Sequence, residues 1–160
     1  MVEQIFTIGV YGRDEESFFT ALTQNKIDTF CDIRQRRGVR GRAYRFVNKN
    51  YLCQKLKALG IRYVHLKRLA PTKELRAIQQ AADRKKSILK RQRTSLAPDF
   101  VESYKQVCLS GISPADIFRE LPEDAKRIVF FCVEKDPRAC HRSILTDWIQ
   151  QKENIPVVHL

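Results

Sequence analysis

Short apolar runs alternate with amphipathic stretches along almost the whole chain, and this alternation limits the fold more than any other feature of the sequence. Residues 4–10, 29–33, 61–66, 127–133 and 156–160 read as strands. Helical patterns stand between them. The first starts near Asp14 and carries Phe18, Phe19 and Leu22 on one face. The second covers 48–59 and stops at Gly60, and a charged third runs from its N-cap, Thr72, to about Lys90. Pro98 opens another, Ser113-Pro114-Ala115-Asp116 caps a short one, and 140–151 forms the last. Strands that alternate with helices require parallel crossovers. The expected fold is therefore α/β: a single domain over 1–160, with a mostly parallel sheet of about five strands and helices on both faces. The stretch 128–133 is apolar on both sides, as a central strand covered twice must be.

Charge divides the chain unevenly. Residues 34–45 hold six arginines and no acid, and residues 67–93 hold ten Lys and Arg against Glu74 and Asp83. These two windows exceed the net charge of the whole chain, +12. The second window is expected to be a basic, mainly helical excursion from the domain. Such clusters suit a polyanion or a phosphorylated ligand, and equally a solvated surface. Arg36, Arg37, Arg40, Arg42, Arg84, Lys85, Lys86, Lys90, Arg91 and Arg93 are the candidate nucleic-acid contacts. Tyr44 is the one aromatic inside the windows, with Phe46 just past the first, so backbone contact is expected in place of a base-stacking platform. No apolar run approaches the roughly 20 residues that cross a bilayer, and no secretory signal opens the chain. Five scattered cysteines then read as reduced thiols in a cytoplasm. No membrane partner is expected, and the oligomeric state is left open.

In a parallel sheet, ligands bind at the C-terminal ends of the strands. The polar residues that stand out sit there. Tyr11 and Arg13 follow the first strand, Asp32 and Arg34 end the second, and His65 ends the third. Glu134, Cys140, His141 and Arg142 follow the fourth. Cys140, His141 and Glu134 are the catalytic candidates; Tyr11, Arg13, Asp32, Arg34, His65 and Arg142 are the ligand-binding candidates. Cys140 falls at a helix start, where free N–H groups and the dipole lower a thiol pKa. It reads as a nucleophile, as a structural thiol under the helix, or as a ligand contact. Glu134, at the end of an apolar strand, must be solvated or paired, and Arg34 or His141 are the natural partners. No metal-ligand spacing is present, and Cys132 is expected to point into the core, so neither a metal nor a cofactor is expected. Nucleotide-binding glycine motifs are absent as well.

Four landmarks carry a resemblance over most of the chain. They are Thr7-Ile8-Gly9 with Tyr11-Gly12-Arg13, then Asp32-Ile33-Arg34, then residues 60–66, and finally Cys132-Val133-Glu134 with Asp136-Pro137 and Cys140-His141-Arg142. In this order they resemble the domain-of-unknown-function family numbered 488 (DUF488). The resemblance implies a compact α/β domain with these motifs grouped at one edge, and it implies no reaction. The chain departs from the family at Arg37-Gly38, where many members have proline, and at Leu69-Ala70-Pro71, where many have Leu-Gly-Gly.

Two functions are expected from these residues. One is an anion-binding, catalytic site at the strand C-terminal edge, acting on a phosphorylated or nucleic-acid ligand. The other is a non-catalytic nucleic-acid-binding module that uses the two basic windows. The sequence leaves open whether the chain is an enzyme.

Overall fold

A computed structural model describes residues 1–160 apart from the side chain of Arg91. Arg91, expected among the nucleic-acid contacts, therefore lies outside the described residues. The five apolar runs form one sheet: β1 (Gln4–Ile8), β2 (Thr29–Asp32), β3 (Arg62–His65), β4 (Arg127–Phe131) and β5 (Val157–His159). Their order is β3-β2-β4-β1-β5, and every pairing is parallel. Strands from both ends of the chain thus share one sheet, and β4 takes the centre, as its two apolar faces demand.

The helices are α1 (Glu15–Gln24), α2 (Lys49–Ala58), α3 (Lys73–Lys85), α4 (Pro98–Tyr104), α5 (Pro114–Phe118) and α6 (His141–Glu153). Right-handed crossovers place α1 and α2 on one face and α3 to α6 on the other, because the chain reverses its direction across the sheet after β3. The contacts agree. Phe18 of α1 meets Phe30 and Phe131 with ring centroids 6.3 and 5.5 Å apart. Tyr51 of α2 donates to Glu15 of α1 at 2.5 Å. On the opposite face α4 packs against both α3 and α6, and α5 against α6. No helix among the described residues is long and apolar enough to cross a membrane.

The caps follow the sequence signals. Asp14 accepts from the Ser17 N–H at 2.7 Å, Thr72 accepts from that of Leu75 at 3.2 Å, and Gly60 takes φ +72° after α2. The expected helix from Thr72 to Lys90 is shorter, ending at Lys85. Ser87 turns into the left-handed region at φ +52°. The N–H groups of Ser87 and Ile88 then bond the Arg84 and Asp83 carbonyls at 3.1 and 3.0 Å. That double bond pattern is a Schellman stop. It sends Lys90 and Arg93 back toward the sheet, so the second basic window is a helix and a return loop.

Candidate functional site

After β2 the chain departs toward β3, and after β4 it departs the other way, toward β5. The gap between these neighbouring strand ends is the switch point at which open α/β sheets bind ligands. Asp32 and Arg34 sit on the β2 side. Arg34 forks onto Asp32 through Nε and Nη2 at 2.9 and 2.7 Å, and Nη2 also donates to the Val47 carbonyl at 2.9 Å. Asp32 further accepts from the Arg34 backbone N–H and the Tyr63 hydroxyl, at 3.1 and 2.8 Å. Burial, together with Asp32, pushes the Tyr63 phenol up. The pair is buried on the sheet with the guanidinium over the Phe131 ring. Asp32 is thus a holder of Arg34. Arg34 keeps one nitrogen, Nη1, with no hydrogen-bond partner among the described residues. His65 supports the same loop, its Nε2 lying 2.9 Å from the Arg34 carbonyl.

Across the gap lies the segment after β4. A 3-10 turn at Pro137–Ala139, held by Asp136 accepting from the Arg138 N–H at 2.9 Å, delivers Cys140 to the N-cap of α6. His141 Nε2 lies 3.0 Å from the Ile33 carbonyl, which fixes the proton on that nitrogen and turns Nδ1 toward Cys140 Sγ at 3.7 Å. The Tyr104 ring, 5.5 Å away between centroids, backs the imidazole. Cys132, expected to point into the core, is buried with the core cluster, and its sulfur also lies beside these two groups. Burial opposes ionisation of Cys140, yet the hydrogen bond from the Cys132 thiol and the interactions with His141 and Arg142 hold it well below the usual thiol range. That hydrogen bond, with burial, pushes Cys132 well above it. Cys108, by contrast, is pushed up to about 11 by burial alone. The two sulfurs and Nδ1 all lie within 4.8 Å of one another, and these three residues could hold a metal ion.

Beyond Asp32, two more expected roles change. Glu134 does not pair with Arg34 or His141; its partners are Lys90 at 3.3 Å and Arg93 at 3.5 Å, brought in by the loop after α3. Burial raises its carboxyl even so. Arg142 is not an open anion clamp. It is 1% exposed and donates to the Glu134 and Lys135 carbonyls at 2.6 and 3.0 Å, so it fastens the loop that carries Glu134.

A cavity of about 690 Å³ opens on this switch point. Tyr11, Arg34, Glu134, Cys140 and His141 all line it, with Cys132. Arg36, Arg40, Lys90 and Arg93 bring the basic windows to its wall. Arg13 and His65 are not among its lining residues, and neither are Arg37, Arg42, Arg84, Lys85 and Lys86. Sequence reading missed Arg76, Gln79 and Asp83 of α3, which form part of the wall. The signal was present: with Gln80 they recur at i, i+3, i+4 and i+7, a polar stripe on one helical face. Gln79 is buried there, accepting from the Ala97 N–H at 2.9 Å and donating to Asp83 at 2.7 Å. A larger hollow of about 1140 Å³ shares Arg93 and Glu134 but not the Cys140–His141 pair.

No curated protein and no solved structure matches the chain. The model of the family described as a domain of unknown function, DUF488, matches residues 14–149, a stretch that includes the strand-end loop, the Cys140–His141 pair and α3. The chain belongs to the DUF488 family.

Proposed function

We propose that this chain is an enzyme that binds a phosphate-bearing anion in the strand-end cavity and acts on it with the group assembled from Cys132, Cys140 and His141. One observation carries the reading: the same cavity wall holds that reactive cluster and the cations Arg36, Arg40, Arg76, Lys90 and Arg93, against the two carboxylates Asp83 and Glu134. Arginine forks bind phosphate oxygens in two-point geometry, and a low-dielectric wall strengthens each contact. The Arg34 Nη1 donor, buried and without an acceptor among the described residues, adds to the demand for an anion. Glu134, its carboxyl raised by burial, is suited to take or give a proton. Five unpaired cysteines suit a reducing cytoplasm.

The test is calorimetric titration with nucleoside mono- and diphosphates and with sugar phosphates, followed by turnover assays on whichever binds. Arg76→Glu should weaken binding about tenfold or more, as loss of a charged hydrogen bond does. Folded His141→Ala and Glu134→Gln variants should bind and fail to turn over. Unchanged turnover in both variants would refute the assignment.

A second reading rests on exposed cations that do not line the cavity, Arg42 in the loop after β2 and Arg84, Lys85 and Lys86 at the end of α3. They suit the backbone of a nucleic acid. Binding to single-stranded RNA that falls steeply with salt, and that survives His141→Ala, would favour it.

A further inference from the structure

We infer that Cys132, Cys140 and His141 form a three-ligand zinc site on the cavity wall, which deepens the reading of this cavity as the working site and rests on it. Zinc takes thiolate at about 2.3 Å and imidazole at about 2.0–2.1 Å in tetrahedral array. Those lengths put a bound sulfur and nitrogen about 3.6 Å apart. Cys140 Sγ and His141 Nδ1 already stand 3.7 Å apart, and Cys132 Sγ lies within 4.8 Å of both. The Cys140–His141 pair therefore stands at the separation of two zinc ligands, with Cys132 close enough to supply a third.

The imidazole is prepared in the way metal-bound histidines are. Its Nε2–H is committed to the Ile33 carbonyl at 3.0 Å, which leaves Nδ1 as the lone-pair donor and fixes the ring plane. Cys140 gains from its place at the start of the thirteen-residue helix α6, whose free N–H groups favour a thiolate. Soft sulfur with imidazole selects zinc over magnesium or calcium, which require oxygen. Ligation replaces the S–H proton of each thiol with a Zn–S bond and passes those protons to solvent, with no change of oxidation state.

Three protein ligands leave the fourth position open, and all three residues line the cavity. Glu134 is not one of the group, being tied to Lys90 and Arg93. An oxygen of the bound anion, or a water, is what the open position would take. The reaction class becomes metal-assisted attack on an anionic substrate.

The whole protein, kept reduced and stripped with a chelator, is titrated with Zn²⁺ by calorimetry and with Co²⁺ by absorption. One equivalent should bind. Cobalt should show sulfur-to-metal charge transfer and the strong visible bands of a tetrahedral site. Cys132→Ser, Cys140→Ser and His141→Ala should each cost more than the 10–100-fold that loss of an outer partner typically costs. Cys53→Ser should bind as wild type does. A wild-type protein that takes up no zinc, or a cobalt spectrum without thiolate charge transfer, would overturn the proposal even where a variant fails to fold. Nucleotide titration of the stripped protein separates the two readings. Anion binding without zinc uptake removes the metal alone; zinc uptake without anion binding upholds the metal and removes the substrate class.

Discussion

Gly9 has no room for a methyl group. A Cβ there would stand 1.9 Å from the Glu134 carbonyl oxygen and 3.2 Å from Arg142 Nη2. Since the nearest obstacle is backbone, the loop after β4 would have to move. Gly9→Ala should cost about 3 kcal/mol, as overpacking a tight contact does, with the loss read from urea unfolding. A wild-type midpoint would show that the loop yields freely. Arg142 acts at the same place by different means, its fork closing on two carbonyls. Arg142→Lys keeps the charge and loses the fork, so it should destabilise by about 2 kcal/mol. Sequence made both residues visible as landmarks but misread Arg142 as a ligand contact. A charge beside a candidate site looks the same in sequence whether it faces the cavity or bonds the chain behind it.

At the scale of elements, strand identity and parallel order were legible because runs of apolar residues on both faces have few other uses. The end of α3 was not legible. Its Schellman stop uses Ser87 in place of glycine, so nothing marks the turn, and Lys90 was left at the end of an imagined helix with Arg93 just past it. For the same reason the partners of Glu134 were assigned wrongly. Asp28 shows how the strand starts are tied. It accepts from the N–H groups of Lys126 and Arg127 at 3.0 and 2.7 Å and pairs with Arg62 at 3.1 Å, linking the approaches to β2, β3 and β4. Partial burial opposes its ionisation, but these bonds hold its carboxyl below the ordinary aspartate value of 3.8. A depressed native pKa gives stability that is present above the unfolded value and lost as pH falls through the native one. The stability gap between wild type and Asp28→Asn should therefore be widest above pH 3.8 and narrow below it. A gap that does not change with pH in denaturant titrations would contradict the bonding scheme.

Over the whole molecule, the 30 Lys and Arg are less available than their number suggests. Arg34 is bound to Asp32, Arg93 to Asp83 and Glu134, and Lys90 to Glu134. Within the basic windows, Arg36, Arg40 and Arg76 line the cavity wall while Arg84, Lys85 and Lys86 stand exposed at the end of α3, and the two functional readings divide along that line. Thermal unfolding with a nucleoside diphosphate, in wild type, Arg76→Glu and Lys85→Glu, separates them most directly. A ligand at 100 times its Kd adds about 2.7 kcal/mol to the native state. For a chain of this length that is a rise in Tm of about 5–10 °C. The account predicts that rise in wild type and Lys85→Glu and its loss in Arg76→Glu; a rise that survives Arg76→Glu and vanishes in Lys85→Glu would contradict it.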